Sequence, residues 1–187
     1  MAIKIFIDQG HNPQNPNAGA EGNGLREQDI TYAVGIQLAN LLRANPNFEV
    51  RLSRNSPNEI LGTSNTTSLQ RRVNAANSWG ADAFISLHTN ASSNESASGT
   101  EAYVYRLGSN AASLAEDIVN GVVNITGLRD RGVQARPSLY VLRKTTMPAV
   151  LLEMGFITNP GDAYLMSENP ELFAQGIYNG IRRYYGL

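Results

Sequence analysis

Hydrophobic and polar positions alternate between two regimes along this chain. Ala2 to Asp8 (AIKIFID) is a short, mostly apolar run closed by Asp-Gln-Gly, which predicts a buried strand of parallel type. A loop rich in Asn, Pro and Gly follows to about Gly24. Ile30, Val34, Leu38, Leu41 and Leu42 then recur at helical spacing, predicting a helix over Glu27 to Asn45. Asn47 to Arg54 reads as a strand. Leu69, Val73 and Ala76 mark a second helix with Thr67 or Ser68 as its cap. Ala83 to Leu87 (AFISL) is a second buried strand ending at His88, and Thr100 to Tyr105 alternates as a half-buried one. Leu114, Ile118, Val122 and Ile125 predict a third helix, and Leu139 to Leu142 a short strand. Ala149 to Leu152 (AVLL) is a third buried strand ending at Glu153. Phe173, Ile177, Ile181 and Tyr184 predict a closing helix, with Arg182 and Arg183 suited to its C-terminal dipole. Strands alternating with helices at this spacing predict an α/β three-layer sandwich: one twisted, mostly parallel sheet with helices on both faces.

Composition narrows the chemistry. At 187 residues the chain is the size of one domain, and residues 1–187 are read as a single unit, able to bury about 70% of its unfolded surface. The absence of cysteine excludes a disulfide scaffold, a thiolate zinc site, an iron–sulfur cluster and a Cys nucleophile. Fifteen basic against sixteen acidic residues give a net charge of -1, which argues against nucleic acid as the partner. No apolar run approaches the roughly 20 residues of a membrane span. Met1 leads directly into the first strand, so no signal peptide is visible.

Only two histidines occur, and their placement is informative. Ligands in open α/β sheets bind beyond the carboxyl ends of the strands. His11 follows the first strand, His88 follows AFISL, Glu153 follows AVLL, and Glu27 opens the first helix. Two neutral imidazoles and one carboxylate make a catalytic zinc set with a position left open, so His11, Glu27 and His88 are candidate ligands. A carboxylate outside that set can move the proton, and Glu153 is the candidate. Plainer readings stand beside these. A histidine at a strand end is commonly a hydrogen-bonded structural residue, and an acid in a helix's first turn favours the dipole. Glu101 competes with Glu153, but its alternating context places it on a half-exposed face. Arg71-Arg72 and Arg182-Arg183 read as solvated helix faces. The chain has no Gly-x-Ser-x-Gly elbow and no Gly-rich phosphate loop.

Four ordered segments carry a family resemblance: IFIDQGH (Ile5 to His11), GLREQD (Gly24 to Asp29), ADAFISLHTNA (Ala81 to Ala91) and PAVLLEMGFITNPGD (Pro148 to Asp162). Together with the LSRN segment and the helix carrying Arg71, Arg72 and Asn77, they resemble the zinc-dependent type 3 N-acetylmuramoyl-L-alanine amidases of bacterial cell-wall turnover. The resemblance implies a twisted, largely parallel sheet of about six strands. It implies hydrolysis of the amide between N-acetylmuramic acid and the L-alanine of the stem peptide in peptidoglycan. By position, His11, Glu27 and His88 match the zinc ligands and Glu153 the catalytic glutamate. Gln9 and Thr89 depart from the pattern beside the ligands without replacing them. Some members carry an inserted helix that blocks the zinc. Asn90 to Gly99 is too short to hold one, so a monomer acting on the bacterial wall without an activator protein is expected. Two other readings share the fold. A carboxypeptidase-like zinc amidohydrolase would place Arg136 or Arg143 in its pocket, and a non-catalytic wall-binding module would lack metal and turnover.

Overall fold

The computed structural model describes residues 2–187. The expectation of no signal peptide turns on Met1, which lies outside them. The chain runs β1 (Ile3–Gln9), a small hairpin of β2 (Glu21–Gly22) and β3 (Leu25–Arg26), α1 (Glu27–Arg43), β4 (Phe48–Leu52), α2 (Asn65–Trp79) and β5 (Ala83–Asn90). It continues through β6 (Thr100–Val104), α3 (Asn110–Thr126), β7 (Asp130–Ala135), α4 (Tyr140–Lys144), β8 (Ala149–Phe156), α5 (Pro160–Glu168) and α6 (Pro170–Tyr184). Six strands form one sheet in the order β4-β1-β5-β8-β6-β7. Every pairing is parallel except β6 with β8. The sheet is therefore the expected mostly parallel one.

Its two faces follow from the period of two along a strand. Ile5, Ile7, Ile85, Leu87, Val150 and Leu152 pack with Val34 and Leu38 of α1, Ile118 of α3 and Ile177 of α6. The intervening Phe6, Phe84 and Leu151 pack on the other side with Val73 and Ala76 of α2 and Val141 and Leu142 of α4. Helices thus cover both faces, giving the three layers. Because α4 has only five residues, its face of the sheet is the thinly covered one.

Several local expectations are corrected. Leu139 to Leu142 is not a strand: Leu139 precedes α4, and adjacent Val141 and Leu142 are both buried, as one turn of helix allows. A four-residue apolar run does not distinguish the two states. The cap of α2 is Ser64, whose hydroxyl accepts from the Thr67 N–H; Thr67 returns the bond and so sits at the third helical position. β5 and β8 run past the apolar cores, so His88 and Glu153 lie within strands rather than just beyond them.

Candidate metal centre

Four chain segments converge at the carboxyl ends of β1 and β5 and the second half of β8. Gly10 leaves β1, and its N–H donates to the Leu87 carbonyl at 3.1 Å, fastening the turn to β5. His11 then takes a left-handed backbone conformation, φ 66°, which few residues other than glycine adopt readily. That conformation is held from behind by Arg72. Its guanidinium donates to the His11 carbonyl at 2.6 Å, the Gln9 carbonyl at 2.6 Å and Asn12 Oδ1 at 3.2 Å. Arg72 also pairs with Asp8 Oδ1 at 2.7 Å, while Ser86 donates to Asp8 Oδ2 at 2.7 Å. Burial alone would raise the Asp8 carboxyl; Arg72 outweighs it and holds the group below its ordinary value. The expectation that Arg72 faces solvent is thus overturned: it is buried, with only Arg71 on the exposed side of α2. Sequence gave no sign of this, because two adjacent arginines on a helix point about 100° apart and only the fold says which turns inward.

Glu27 opens α1 and is itself buried, which a dipole-favouring surface acid would not be. Its Oε2 lies 3.2 Å from His11 Nε2 and accepts from the Ala20 N–H at 2.9 Å. Its Oε1 lies 3.0 Å from His88 Nδ1 and accepts from the Thr89 N–H at 2.9 Å. Burial raises the Glu27 carboxyl, but the two imidazoles prevail and hold it far below the carboxylate range. The two histidine rings stand edge to face, 4.8 Å between centroids. One donor atom from each of His11, Glu27 and His88 lies within 4.8 Å of the other two. Two imidazoles and a carboxylate converging from three elements fit a divalent metal ion. Backbone N–H groups meanwhile fix both oxygens of the carboxylate.

Glu153 lies beside this group. It is paired in register with His88 across β5 and β8, so both side chains leave the same face of the sheet. Its Oε2 is buried with no partner. Burial first, then the charges of Glu27 and Glu101, push its carboxyl up to about 8. Such a group beside a candidate metal centre has the marks of a proton carrier. A cavity of about 140 Å³ adjoins both histidines, walled by Leu69, Tyr140 and Leu151.

Glu101 differs from its expected setting. It is buried, not half exposed, and every oxygen is engaged. Oε1 accepts from Asn90 Nδ2 at 2.8 Å and from the Tyr103 hydroxyl at 2.6 Å, and Oε2 pairs with Arg131 Nε at 3.0 Å. Burial and the Glu101 contact push the Tyr103 phenol up to about 12, so it remains a donor.

Comparison with known proteins shows the family. The profile of N-acetylmuramoyl-L-alanine amidases matches residues 5–183. The chain is 38% identical over 189 residues to the N-acetylmuramoyl-L-alanine amidase CwlM of Bacillus licheniformis, covering 99% of this chain and 70% of that one. Among solved structures, it is similar to the N-acetylmuramoyl-L-alanine amidase of Clostridium difficile 630, with 30% identity and a TM-score of 0.87 over 99% of this chain and 97% of that one. It is also similar to the catalytic domain of the amidase CwlV from Bacillus (Paenibacillus) polymyxa var. colistinus, with 31% identity and a TM-score of 0.86 over 98% of each chain. The chain belongs to the N-acetylmuramoyl-L-alanine amidase family of hydrolases.

Proposed function

We propose that this chain is a zinc-dependent peptidoglycan amidase, one catalytic domain that cleaves the amide between the lactyl group of N-acetylmuramic acid and L-alanine. His11, Glu27 and His88 hold the zinc and Glu153 carries the proton. The observation that bears most weight is the juxtaposition of the two groups. Three donor atoms stand within 4.8 Å of one another, and an unpartnered buried carboxylate sits in register with one of them. Zinc bound there would supply a Lewis acid that polarises the scissile carbonyl and lowers the pKa of water.

The chain's own residues do the rest. Glu153 takes a proton from the attacking water as the new C–O bond forms. It then gives that proton to the alanine nitrogen as the C–N bond breaks, leaving a lactyl carboxylate and a free amine. A carboxyl with raised proton affinity suits the second half of that cycle, and a divalent cation held by His11, Glu27 and His88 would lower that affinity for the first half. The Glu27 backbone partners hold its carboxylate still throughout, and Arg72 does the same for His11.

The domain works as a monomer on the bacterial cell wall, without an activator. Residues 91–99 join β5 to β6 without a helix and are tied down by the Ser92 N–H to Thr158 Oγ1, Asn159 Nδ2 to the Glu95 carbonyl, and Ser98 Oγ to Asp162. Metal content by mass, alongside product analysis on purified peptidoglycan, tests the reading. One zinc per chain and a new alanine amino terminus are expected. Full turnover by metal-free protein, or cleavage of a different bond, contradicts it.

A further inference from the structure

We infer that Arg136 forms a subsite for a carboxylate on the leaving group, so that the stem peptide crosses β6 and β7 and the sugar lies towards α1. The inference rests on the reading of Glu153 as the proton carrier. A group that protonates the departing nitrogen must lie within hydrogen-bond reach of it. Glu153 stands on β8, between two unlike flanks. On one side are His88, His11 and Glu27, from β5, β1 and α1. On the other, Glu101 stands opposite Glu153 on β6, and Tyr103 stands opposite Leu151, two residues further along the same face. The nitrogen and everything attached to it therefore continue over the β6 flank.

Two arginines reach this face beside Glu101 and Tyr103, Arg131 and Arg136, and only one of them has a counterion. Arg131 is already occupied, by Glu101 at 3.0 Å, by the Ser98 carbonyl at 3.4 Å and by the Phe156 ring at 5.0 Å. Arg136 makes no ion pair among the described residues and is exposed. Its guanidinium lies 4.9 Å from the centroid of the Tyr103 ring, whose hydroxyl is tied to Glu101. This contact holds the guanidinium against the ring, and its N–H groups remain available to a bidentate acceptor. The Tyr103 row lies about 7 Å along the strands from Glu153, at roughly 3.3 Å per residue. Two residues of extended peptide, at about 3.5 Å each, span that distance. The sugar side of the scissile bond is neutral, whereas the peptide side carries carboxylates, the nearest on the residue after alanine. A cation without a counterion, held against Tyr103 on the peptide flank, is therefore charge-complementary to the substrate in one orientation only. Arg143, the other candidate from the sequence, lines a separate depression beside Ala149. That is four residues, or about 13 Å, back along β8 from Glu153.

The test uses solubilised peptidoglycan chains of equal length in two forms, with the carboxylate of the second stem residue free or amidated. The wild-type protein is expected to favour the free form by about 5- to 10-fold in kcat/KM, as one partly exposed charge-assisted pair allows. The preference should lie in KM and shrink at high salt. Arg136→Gln should bring the ratio close to one, whereas Arg143→Gln should keep it. A wild-type ratio of one overturns the subsite, as does an Arg136→Gln variant that keeps the ratio or slows both forms alike. Glu153→Gln probes the underlying reading separately, since losing the proton carrier lowers kcat on both forms equally.

Discussion

Glu101 and Glu153 stand directly opposite each other on antiparallel β6 and β8, yet only Glu101 has a counterion. Asn90, Tyr103 and Arg131 satisfy Glu101 completely, while Glu153 keeps a buried oxygen with no partner. Two carboxylates in almost the same place thus have different surroundings, and the roles proposed for them differ accordingly. Glu153→Gln should keep zinc, since no ligand is lost, while kcat falls by about 10²- to 10⁴-fold, the range for losing general acid–base catalysis. Glu101→Gln should keep turnover within about 10-fold but cost about 1–3 kcal/mol, because Arg131 loses its acceptor. Steady-state kinetics and thermal melts on both variants check the pair. Near-normal turnover in Glu153→Gln reverses the assignment.

The same asymmetry shows in the pH dependence of stability without metal. The Glu153 carboxyl titrates near 8 in the folded chain, against its ordinary value of 4.5. The folded state therefore holds this proton more tightly. Its contribution is fully present below pH 4.5 and is lost as pH rises through 8. Metal-free wild-type protein should lose more Tm between pH 5 and 8.5 than metal-free Glu153→Gln, which cannot ionise there. Other groups titrate alike in the two proteins, so the difference isolates this one. Parallel curves contradict it.

Much of this arrangement was legible in the sequence. Strand runs ending in chemically capable residues placed His11, His88 and Glu153 at one part of one sheet, and Glu27 stood where its helix begins. Two scarce histidines in those positions left little else to choose from. The residues that escaped notice act through the fold. Arg72 reads as surface until α2 is laid against β1, and Glu101 reads as half exposed until β7 brings Arg131 over it. β7 itself carries a single β-branched residue, Val133, in DRGVQA, and lies at the sheet's edge, where no continuous apolar run is demanded. α5 announced itself only through Asn159 followed by Pro160, a cap and first-turn proline without an apolar stripe.

Arg72 should matter to metal binding more than to folding alone. In Arg72→Lys a point charge keeps Asp8 company but cannot reach both the Gln9 and His11 carbonyls. Zinc affinity is expected to drop by about 10-fold or more, as for other groups that orient a ligand. Competition with a chelator measures it, and Arg71→Lys, on the exposed side of α2, should leave it unchanged. Equal affinities in both variants would show that Arg72 only stabilises.

Gly10 is needed for space. A Cβ there would meet the Leu87 carbonyl and lie within 2.7 Å of two atoms of the His88 ring. Gly10→Ala should displace that ring and weaken zinc binding by about 10- to 100-fold. Retained affinity together with a normal melt would mean that β1 and β5 can part here without moving His88.

The most direct measurement is zinc stoichiometry and affinity across four proteins: wild type, His11→Ala, Glu27→Gln and Glu153→Gln, each prepared metal-free and titrated with Zn²⁺ against a chelator. One tight site is expected in the wild type and in Glu153→Gln. His11→Ala and Glu27→Gln should bind weakly, because each removes a ligand. Tight binding that survives Glu27→Gln but is lost in Glu153→Gln would place the metal on the wrong carboxylate and contradict the proposed division between ligand and proton carrier.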